Sequence, residues 1–136
     1  NLTLFIKIFC LFKRIYILKI IIAIMRQVIL DTSFILAAIK HKIDFFHILE
    51  KEATQAIIPE QTIRELKGLG AELALEIIQR NEFKLVKIPG KDADSAIIKF
   101  AGENPEAIVA TLDAGLKKKI RNPKMVIRQK KKLEII

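Results

Sequence analysis

The stretch Ala107–Leu112 (AIVATL), which is followed by Asp113, decides the fold. A short apolar run closed by a polar residue is typical of a strand that is buried on both faces of a sheet. The run Gln27–Leu30 (QVIL) has the same form and ends directly before Asp31. Because Asp is a favoured N-cap residue, each run predicts a strand that is followed at once by a helix.

Outward from these two strands, the pattern continues to alternate between strand and helix. Ala56–Ile58 and Phe83–Ile88 predict two further strands, and Met125–Arg128 predicts a last one before a Lys-rich tail. The predicted helices are Phe34–Lys40, Phe45–Lys51, Glu60–Lys67, Ala71–Arg80, Asp94–Ala101 and Ala114–Ile120. No sequence pattern typical of a tight hairpin is visible. We therefore expect a single three-layer α/β/α domain with a central parallel sheet.

Length and composition agree with one packed domain. The chain has 136 residues, of which 51% are hydrophobic and 29% are charged, so it has enough apolar side chains for one core. Its one cysteine, Cys10, cannot form an internal disulfide, which favours the reducing cytoplasm. A single cysteine also excludes a zinc site built on several thiolates.

The chain is basic, with 24 Lys and Arg residues against 15 Asp and Glu residues and a net charge of +9. A surface of this sign favours a polyanionic partner, either nucleic acid or an anionic membrane. The simpler explanation is that lysine keeps an Ile-rich chain in solution. Charge alone leaves these explanations open.

Residues 1–24 differ from the rest, because they contain no acid, no Gly and no Pro. Cations interrupt every apolar stretch, at Lys7, Lys13, Arg14 and Lys19. This spacing argues against a membrane-spanning helix and against a signal peptide. We expect residues 1–24 to be an apolar basic extension translated from upstream of the true start at Met25; the alternative is a basic helix on a membrane surface. Residues 25–136 form the predicted domain, and we do not expect a membrane partner.

Four acids fall where predicted strands end. Asp31 follows the first strand directly, and Asp113 follows the AIVATL strand. Glu65 lies in the helix after the second strand, and Asp94 opens the helix after the third. In an open parallel sheet, ligands bind beyond the carboxyl ends of the strands. We therefore expect the four carboxylates to project from one edge of the sheet.

These acids together favour a metal site. Each one alone has a simpler explanation, as a helix cap or an exposed helix residue. Carboxylates that share a pocket, however, repel one another unless a cation neutralises them. Oxygen ligands without His or Cys suit Mg²⁺ or Mn²⁺. His41 and His47 do not share a helix face, so a zinc site built on them is not expected.

Four motifs resemble those of the PIN-domain nucleases. They are LDTSFIL (Leu30–Leu36), IPEQTIREL (Ile58–Leu66), DADSAIIKFA (Asp92–Ala101) and IVATLDAGLKKKIR (Ile108–Arg121), in the order that the family has them. The last motif and the MVIRQKKKLEI after it are similar to compact archaeal PIN proteins and to the PIN nucleases of ribosomal RNA processing. VapC-type toxin ribonucleases share the same acids.

The resemblance implies roles for individual residues. The catalytic and metal-binding residues would be Asp31, Glu65, Asp94 and Asp113. Supporting roles are expected for Thr32, Ser33, Thr111 and Asp92, because hydrogen bonds commonly orient metal ligands. The basic row after the fourth motif is expected to bind RNA phosphates, through Lys117, Lys118, Lys119 and Arg121; the alternative is a solvated helix face.

The implied activity is that of a Mg²⁺- or Mn²⁺-dependent endoribonuclease, which hydrolyses RNA phosphodiester bonds with a metal-activated water. Processing of ribosomal RNA is one expected role, with a ribosome-assembly protein as a candidate partner. A VapC-type toxin paired with an antitoxin is the first alternative. A catalytically silent PIN module that binds RNA or protein is the second. Homodimers are common in the family, so a homodimer is also a candidate.

Overall fold

The structure, a computed structural model, describes the backbone of residues 1–136 and the side chains of residues 1–18, 20 and 25–136. The strands are β1 (Arg26–Leu30), β2 (Thr54–Pro59), β3 (Lys84–Val86), β4 (Ile108–Ala110), β5 (Lys124–Arg128) and β6 (Lys132–Ile135). The helices are α1 (Leu2–Ile24), α2 (Thr32–Lys40), α3 (Phe45–Lys51), α4 (Glu60–Gly68), α5 (Glu72–Gln79), α6 (Ala93–Glu103) and α7 (Ala114–Lys119).

The strands form one sheet in the order β3-β2-β1-β4-β5-β6. The first five strands are parallel, so their carboxyl ends lie at one edge of the sheet. Strand β1 lies in the middle, with Val28 paired to Ala56 of β2 and to Ile108 of β4. The predicted α/β fold with a central, mostly parallel sheet is confirmed.

Two apolar clusters give the fold its three layers. On one face of the sheet, alternate strand residues such as Val28 pack with α2–α5. On the other face, Ile29, Ile57 and Val109 pack with α6 and α7. The alternation of side chains along each strand divides the buried residues between the two faces. Strands β1, β2 and β4 are therefore buried on both sides, as their continuous apolar runs predict.

A hairpin at the end of the chain departs from the sequence-based expectation. Strand β6 pairs antiparallel with β5, and Arg128 lies opposite Lys132. The sequence pattern does not predict this hairpin, because its turn residues Gln129 and Lys130 have φ values of 53° and 59°. In tight hairpin turns, the residues with positive φ values are usually Asn-Gly or a similar pair. The Lys-rich tail is thus the sixth strand of the sheet.

Two strands are shorter than predicted. Strand β3 covers only the middle of Phe83–Ile88, because it pairs with the end of β2 alone. Strand β4 ends at Ala110 rather than Leu112. The backbone after Ala110 instead turns into the hydrogen-bonded cluster around Asp31.

Helix α1 lies outside both clusters as far as its described side chains show. Its described large apolar side chains are exposed, for example Phe5 at 66% and Tyr16 at 67%. Over the part of the chain that the structure describes, no helix is both long enough and apolar enough to cross a membrane.

Candidate active site

Asp31 is the buried acid at the edge formed by the carboxyl ends of the strands. It follows β1, and only 4% of its surface is exposed. Its Oδ2 accepts hydrogen bonds from the hydroxyl groups of Ser33 and Thr111, each at 2.8 Å. Its backbone N–H donates to the carbonyl of Ala110 on β4 at 3.0 Å. Because a buried carboxylate needs such donors, these bonds fix Asp31 between the ends of two neighbouring strands.

The same two hydroxyl groups order the turn that carries Asp113. The Leu112 N–H donates to Ser33 Oγ, and the Asp113 N–H donates to Thr111 Oγ1, both at 3.1 Å. The carboxylate of Asp113 caps α7, since its Oδ1 accepts from the Gly115 N–H at 2.8 Å. Asp113 is therefore held beside the buried acid through shared hydrogen-bond partners.

Helix α4 supplies Glu65. Its Oε2 accepts a hydrogen bond from the Thr32 hydroxyl at 2.8 Å. One turn earlier, the buried hydroxyl of Thr62 donates to the carbonyl of Leu30 at 3.3 Å. Both bonds join α4 to the chain at the end of β1, so Glu65 lies close to the residue that follows Leu30. The sequence does not single out Thr62, although it lies inside the second motif.

Asp94 lies in the first turn of α6, and the prediction that it opens the helix is wrong. The helix begins at Ala93, and its N-cap is Asp92, whose Oδ1 accepts from the Ser95 N–H at 2.8 Å. Hydrogen bonds from the side chain and backbone of Ser95 lower the pKa of Asp92. Since Asp92 already caps the helix, capping does not account for an acid at Asp94.

The pKa of Asp94 indicates that the other three predicted acids lie near it. Burial raises the pKa of Asp94, and the negative charges of Asp31, Asp113, Asp92 and Glu65 raise it further. Coulomb interactions weaken with distance and with solvent screening, so each of these carboxylates lies in the vicinity of Asp94. Even so, within the described residues no three Asp, Glu, His or Cys side chains are placed closely enough to hold a metal ion together.

The chemistry of this group fits a hard divalent cation. All its donors are oxygen atoms, which suit Mg²⁺ or Mn²⁺. The two histidines lie elsewhere, His41 at the C-cap of α2 and His47 in α3. Two cavities, of about 750 and 400 Å³, are lined by residues around α3 and α5 and by none of the four acids. The acids thus lie in neither of these cavities, and of the four only Asp113 is exposed.

Gln61 is a residue that the sequence analysis missed. Only 5% of it is exposed, and its Nε2 donates to the carbonyls of Ile88 at 2.6 Å and Gly90 at 3.1 Å. Its Oε1 has no hydrogen-bond partner among the described residues. Gly90 lies so close to α6 that a Cβ there would be 3.0 Å from the Ala96 nitrogen. Gln61 therefore joins α4 to the loop that leads into α6. Its position one turn before Glu65, on the same helix face, is the sequence feature that could have identified it.

The predicted RNA-binding residues lie along and beyond α7. This helix follows its N-cap Asp113 and leads back to the amino end of β5. Lys117 lies one turn into it, and its N–H donates to the Asp113 carbonyl at 3.0 Å. Arg121 follows the end of the helix, on the connection to β5. The row of cations therefore begins beside the acids and leads away from them.

The comparisons with known proteins agree on one family. The family model described as "PIN like domain" matches residues 28–132. Ribonuclease VapC4 of Methanocaldococcus jannaschii is 34% identical over 129 residues, which cover 82% of this chain and 97% of VapC4. The solved structure of the PIN domain endonuclease Utp24 is 28% identical, with a TM-score of 0.72 over 80% of this chain and 90% of that one. The resemblance seen in the sequence is confirmed, and the chain belongs to the PIN-like domain family.

Proposed function

We propose that this chain is a divalent-metal-dependent endoribonuclease whose active site consists of Asp31, Glu65, Asp94 and Asp113. The predicted class of activity, a PIN-type ribonuclease, is confirmed by the similarity to VapC4 and to the endonuclease Utp24. The assignment of the site is supported by one arrangement: hydrogen bonds through Thr32 and Thr111 hold Glu65, Asp31 and Asp113 at the ends of β1 and β4. Burial and the charges of these acids raise the pKa of Asp94, which agrees with a place beside them.

Mg²⁺ or Mn²⁺ is the proposed cofactor. The four acids would hold it, since their donors are oxygen atoms and their mutual repulsion is relieved by a cation. When bound, such an ion supplies Lewis acidity and lowers the pKa of a coordinated water. No His or Cys is needed for this chemistry.

The chain's other residues position the acids and the substrate. Ser33 and Thr111 orient the carboxylate of Asp31, and Thr32 orients that of Glu65. Asp92 fixes the start of α6. The phosphates of the RNA would contact the basic residues after Asp113, which are Lys117, Lys118, Lys119 and Arg121.

Two biological roles are proposed. The first is processing of ribosomal RNA with a ribosome-assembly partner, which the sequence motifs support. The second is that of a VapC-type toxin with an antitoxin partner, which the match to 97% of VapC4 supports. Induced expression in cells separates them, because a toxin arrests growth and its Asp31→Asn variant does not. Growth unaffected by the active chain would count against the toxin role.

We further propose that residues 25–136 form the catalytic unit and that residues 1–24 are an extension outside it. The family match begins at residue 28. The described side chains of α1 contribute to neither apolar cluster. The free cysteine, Cys10, lies in this extension, and a reduced thiol agrees with the proposed cytoplasmic location.

The test is RNA cleavage by the full chain with Mg²⁺, Mn²⁺ or EDTA, on structured and unstructured RNA. Asp113→Asn should lower metal-dependent cleavage about a thousandfold, because it removes a charge that the ion needs. Asp44→Asn is the matched control. Asp44 also caps a helix, because it accepts a hydrogen bond from the His47 N–H, but that helix is α3, which carries none of the four acids. Because Asn is an equally good cap, both variants should fold normally.

Two results would contradict this proposal. Cleavage that continues undiminished in EDTA, or in the Asp113→Asn variant, would rule out the metal mechanism. RNA binding without cleavage in either metal would instead support a catalytically silent PIN module.

A further inference from the structure

The turn between β5 and β6 lies at the same edge of the sheet as the acids. Strand β5 is parallel to β4, and Met125 is paired with Ala110. Arg128, at the end of β5, is three residues past that pair, just as Asp113 is three residues past Ala110. Since neighbouring strands lie about 5 Å apart, the turn projects about 5 Å to the side of β4 and about 10 Å from β1.

This turn is strongly basic. We define the basic turn as Arg128–Lys132, a segment of four cations and Gln129 with no acid and no aromatic residue. All five of its residues are exposed. Helix α7, by contrast, carries its later cations away from the acids. The basic turn is therefore the part of the basic C-terminal region that stays at the acid edge.

A contribution to the stability of the fold does not explain why the basic turn has these residues. Like charges, Arg128 and Lys132, lie directly opposite each other, which is unfavourable. Gln129 and Lys130 adopt positive φ values without being glycine, which is also unfavourable. Arg128 gains a partner in Glu134, with 3.2 Å between Nε and Oε2. Lysine on an edge strand prevents edge-to-edge pairing, but this explains Lys132 and not the lysines of the turn itself.

We propose that the basic turn binds the phosphate backbone of the RNA, so that the substrate strand crosses the ends of β4 and β5 as it reaches the acids. This proposal rests on the proposed ribonuclease function and extends it to the path of the substrate. Ammonium groups without neighbouring aromatic rings contact phosphates rather than bases. The basic turn therefore contributes affinity and position, and it does not contribute base specificity.

The experiment compares two full-chain variants with equal loss of charge. The test variant is Lys130→Gln/Lys131→Gln/Lys132→Gln. The control is Lys40→Gln/Lys42→Gln/Lys51→Gln, because these exposed lysines lie at the end of α2, just after it and at the end of α3, away from the carboxyl ends of the strands. The affinity for a short unstructured RNA is measured at several salt concentrations, with Asp113→Asn added to prevent cleavage. Cleavage is measured without that substitution.

We expect the test variant to bind RNA about 10- to 100-fold more weakly at low salt. The slope of log K against log salt should fall by roughly 0.7 for each lost contact, whereas the control should change by less than about threefold. Lys130→Arg/Lys131→Arg/Lys132→Arg should restore binding, because it keeps the charge. Thermal unfolding of each variant shows that the fold is retained.

The failures of the two proposals are distinguishable. If the test variant binds and cleaves RNA as the control does, the role of the basic turn is refuted while the ribonuclease function stands. Equal weakening of both variants refutes it too, because only net charge would then matter. If the unaltered chain cleaves no RNA in either metal, the proposed function itself fails.

Discussion

The two halves of the candidate site are built in different ways. In the strand half, Asp31 and Asp113 are fixed by the hydroxyl groups of Ser33 and Thr111, which bind side chains and backbone groups alike. This half is a closed hydrogen-bond network at the ends of β1 and β4. Such a network is rigid, because each member satisfies another.

In the helix half, Glu65 and Asp94 are positioned by the placement of α4 and α6. Helix α4 is joined to the strand half by Thr32 and to the α6 loop by Gln61. Burial raises the pKa of Asp94, and the negative charges of the other acids raise it further. The difference teaches that the strand half is set by the sheet, whereas the helix half depends on how α4 and α6 pack beside it.

The largest effect on this comparison is expected from Thr111→Val. The change removes the hydroxyl that donates to Asp31 and accepts from the Asp113 N–H. Metal-dependent cleavage should fall about 10- to 100-fold, as for other groups that orient metal ligands. The free energy of unfolding should fall by about 1–3 kcal/mol, because buried polar groups lose a partner. Cleavage at several Mn²⁺ concentrations and urea unfolding measure the two effects.

Thr111→Ser is the matched control, since it keeps the hydroxyl. It should retain both cleavage and most of the stability. Unchanged cleavage and stability in the Val variant would mean that the hydroxyl group of Thr111 does not position the acids.

A smaller effect is expected from Gln61→Leu in the helix half. The carbonyls of Ile88 and Gly90 lose their donor, so the loop into α6 is less well fixed. The stability should fall by about 1 kcal/mol, a modest amount because the Oε1 of Gln61 is already without a partner among the described residues. Cleavage should fall about tenfold through displacement of Asp94. Urea unfolding and single-turnover cleavage test this expectation.

Gln79→Leu provides the comparison, because Gln79 is exposed on α5. The free energy of unfolding of the Gln79→Leu variant should change by less than about 0.5 kcal/mol. If Gln61→Leu changed the stability as little as Gln79→Leu does, the proposed connection between α4 and α6 would not contribute to stability.

The smallest effect, and one of opposite sign, is expected from Asp94→Asn in the metal-free protein. A raised pKa means that the folded state favours protonated Asp94. Its contribution to stability is therefore present below the ordinary pKa of 3.8 and is lost as the pH rises through the folded-state value. At neutral pH the neutral Asn should stabilise the chelator-treated protein, by less than about 1 kcal/mol after allowance for solvent screening. Thermal unfolding in EDTA measures it.

Asp31→Asn should instead lower the stability, because Asp31 accepts two hydroxyl hydrogen bonds in a buried position. Opposite shifts of Tm for Asp94→Asn and Asp31→Asn would support the difference between the two halves. Shifts of the same sign would contradict it.

The strand half could be predicted from the sequence, and the reason is geometric. Parallel strands place their carboxyl ends at one edge, so an acid directly after each of two apolar runs must lie there. Asp31 and Asp113 meet this condition, and the hydroxyl residues beside them lie within reach for the same reason. The fold was confirmed by the structure, and the family by the comparisons with known proteins. The metal-binding role of the acids stays a prediction.

The helix half could be predicted only in part. The stretch Asp92-Ala93-Asp94 offers two acids for one cap, and local pattern cannot choose between them. Gln61 finds its partners 27 and 29 residues away, so its role depends on packing that no local pattern contains. The final hairpin was missed because Gln129 and Lys130 are poor residues for a turn with positive φ.

The hydrogen bond from Thr111 to Asp31 joins residues 80 positions apart. Contacts this distant in sequence form late, because most of the intervening chain must fold first. During synthesis, the chain emerges from the ribosome starting at its N-terminus. The polypeptide therefore cannot bring its four acids together until residues beyond Asp113 have emerged, so an unfinished copy lacks the proposed active site.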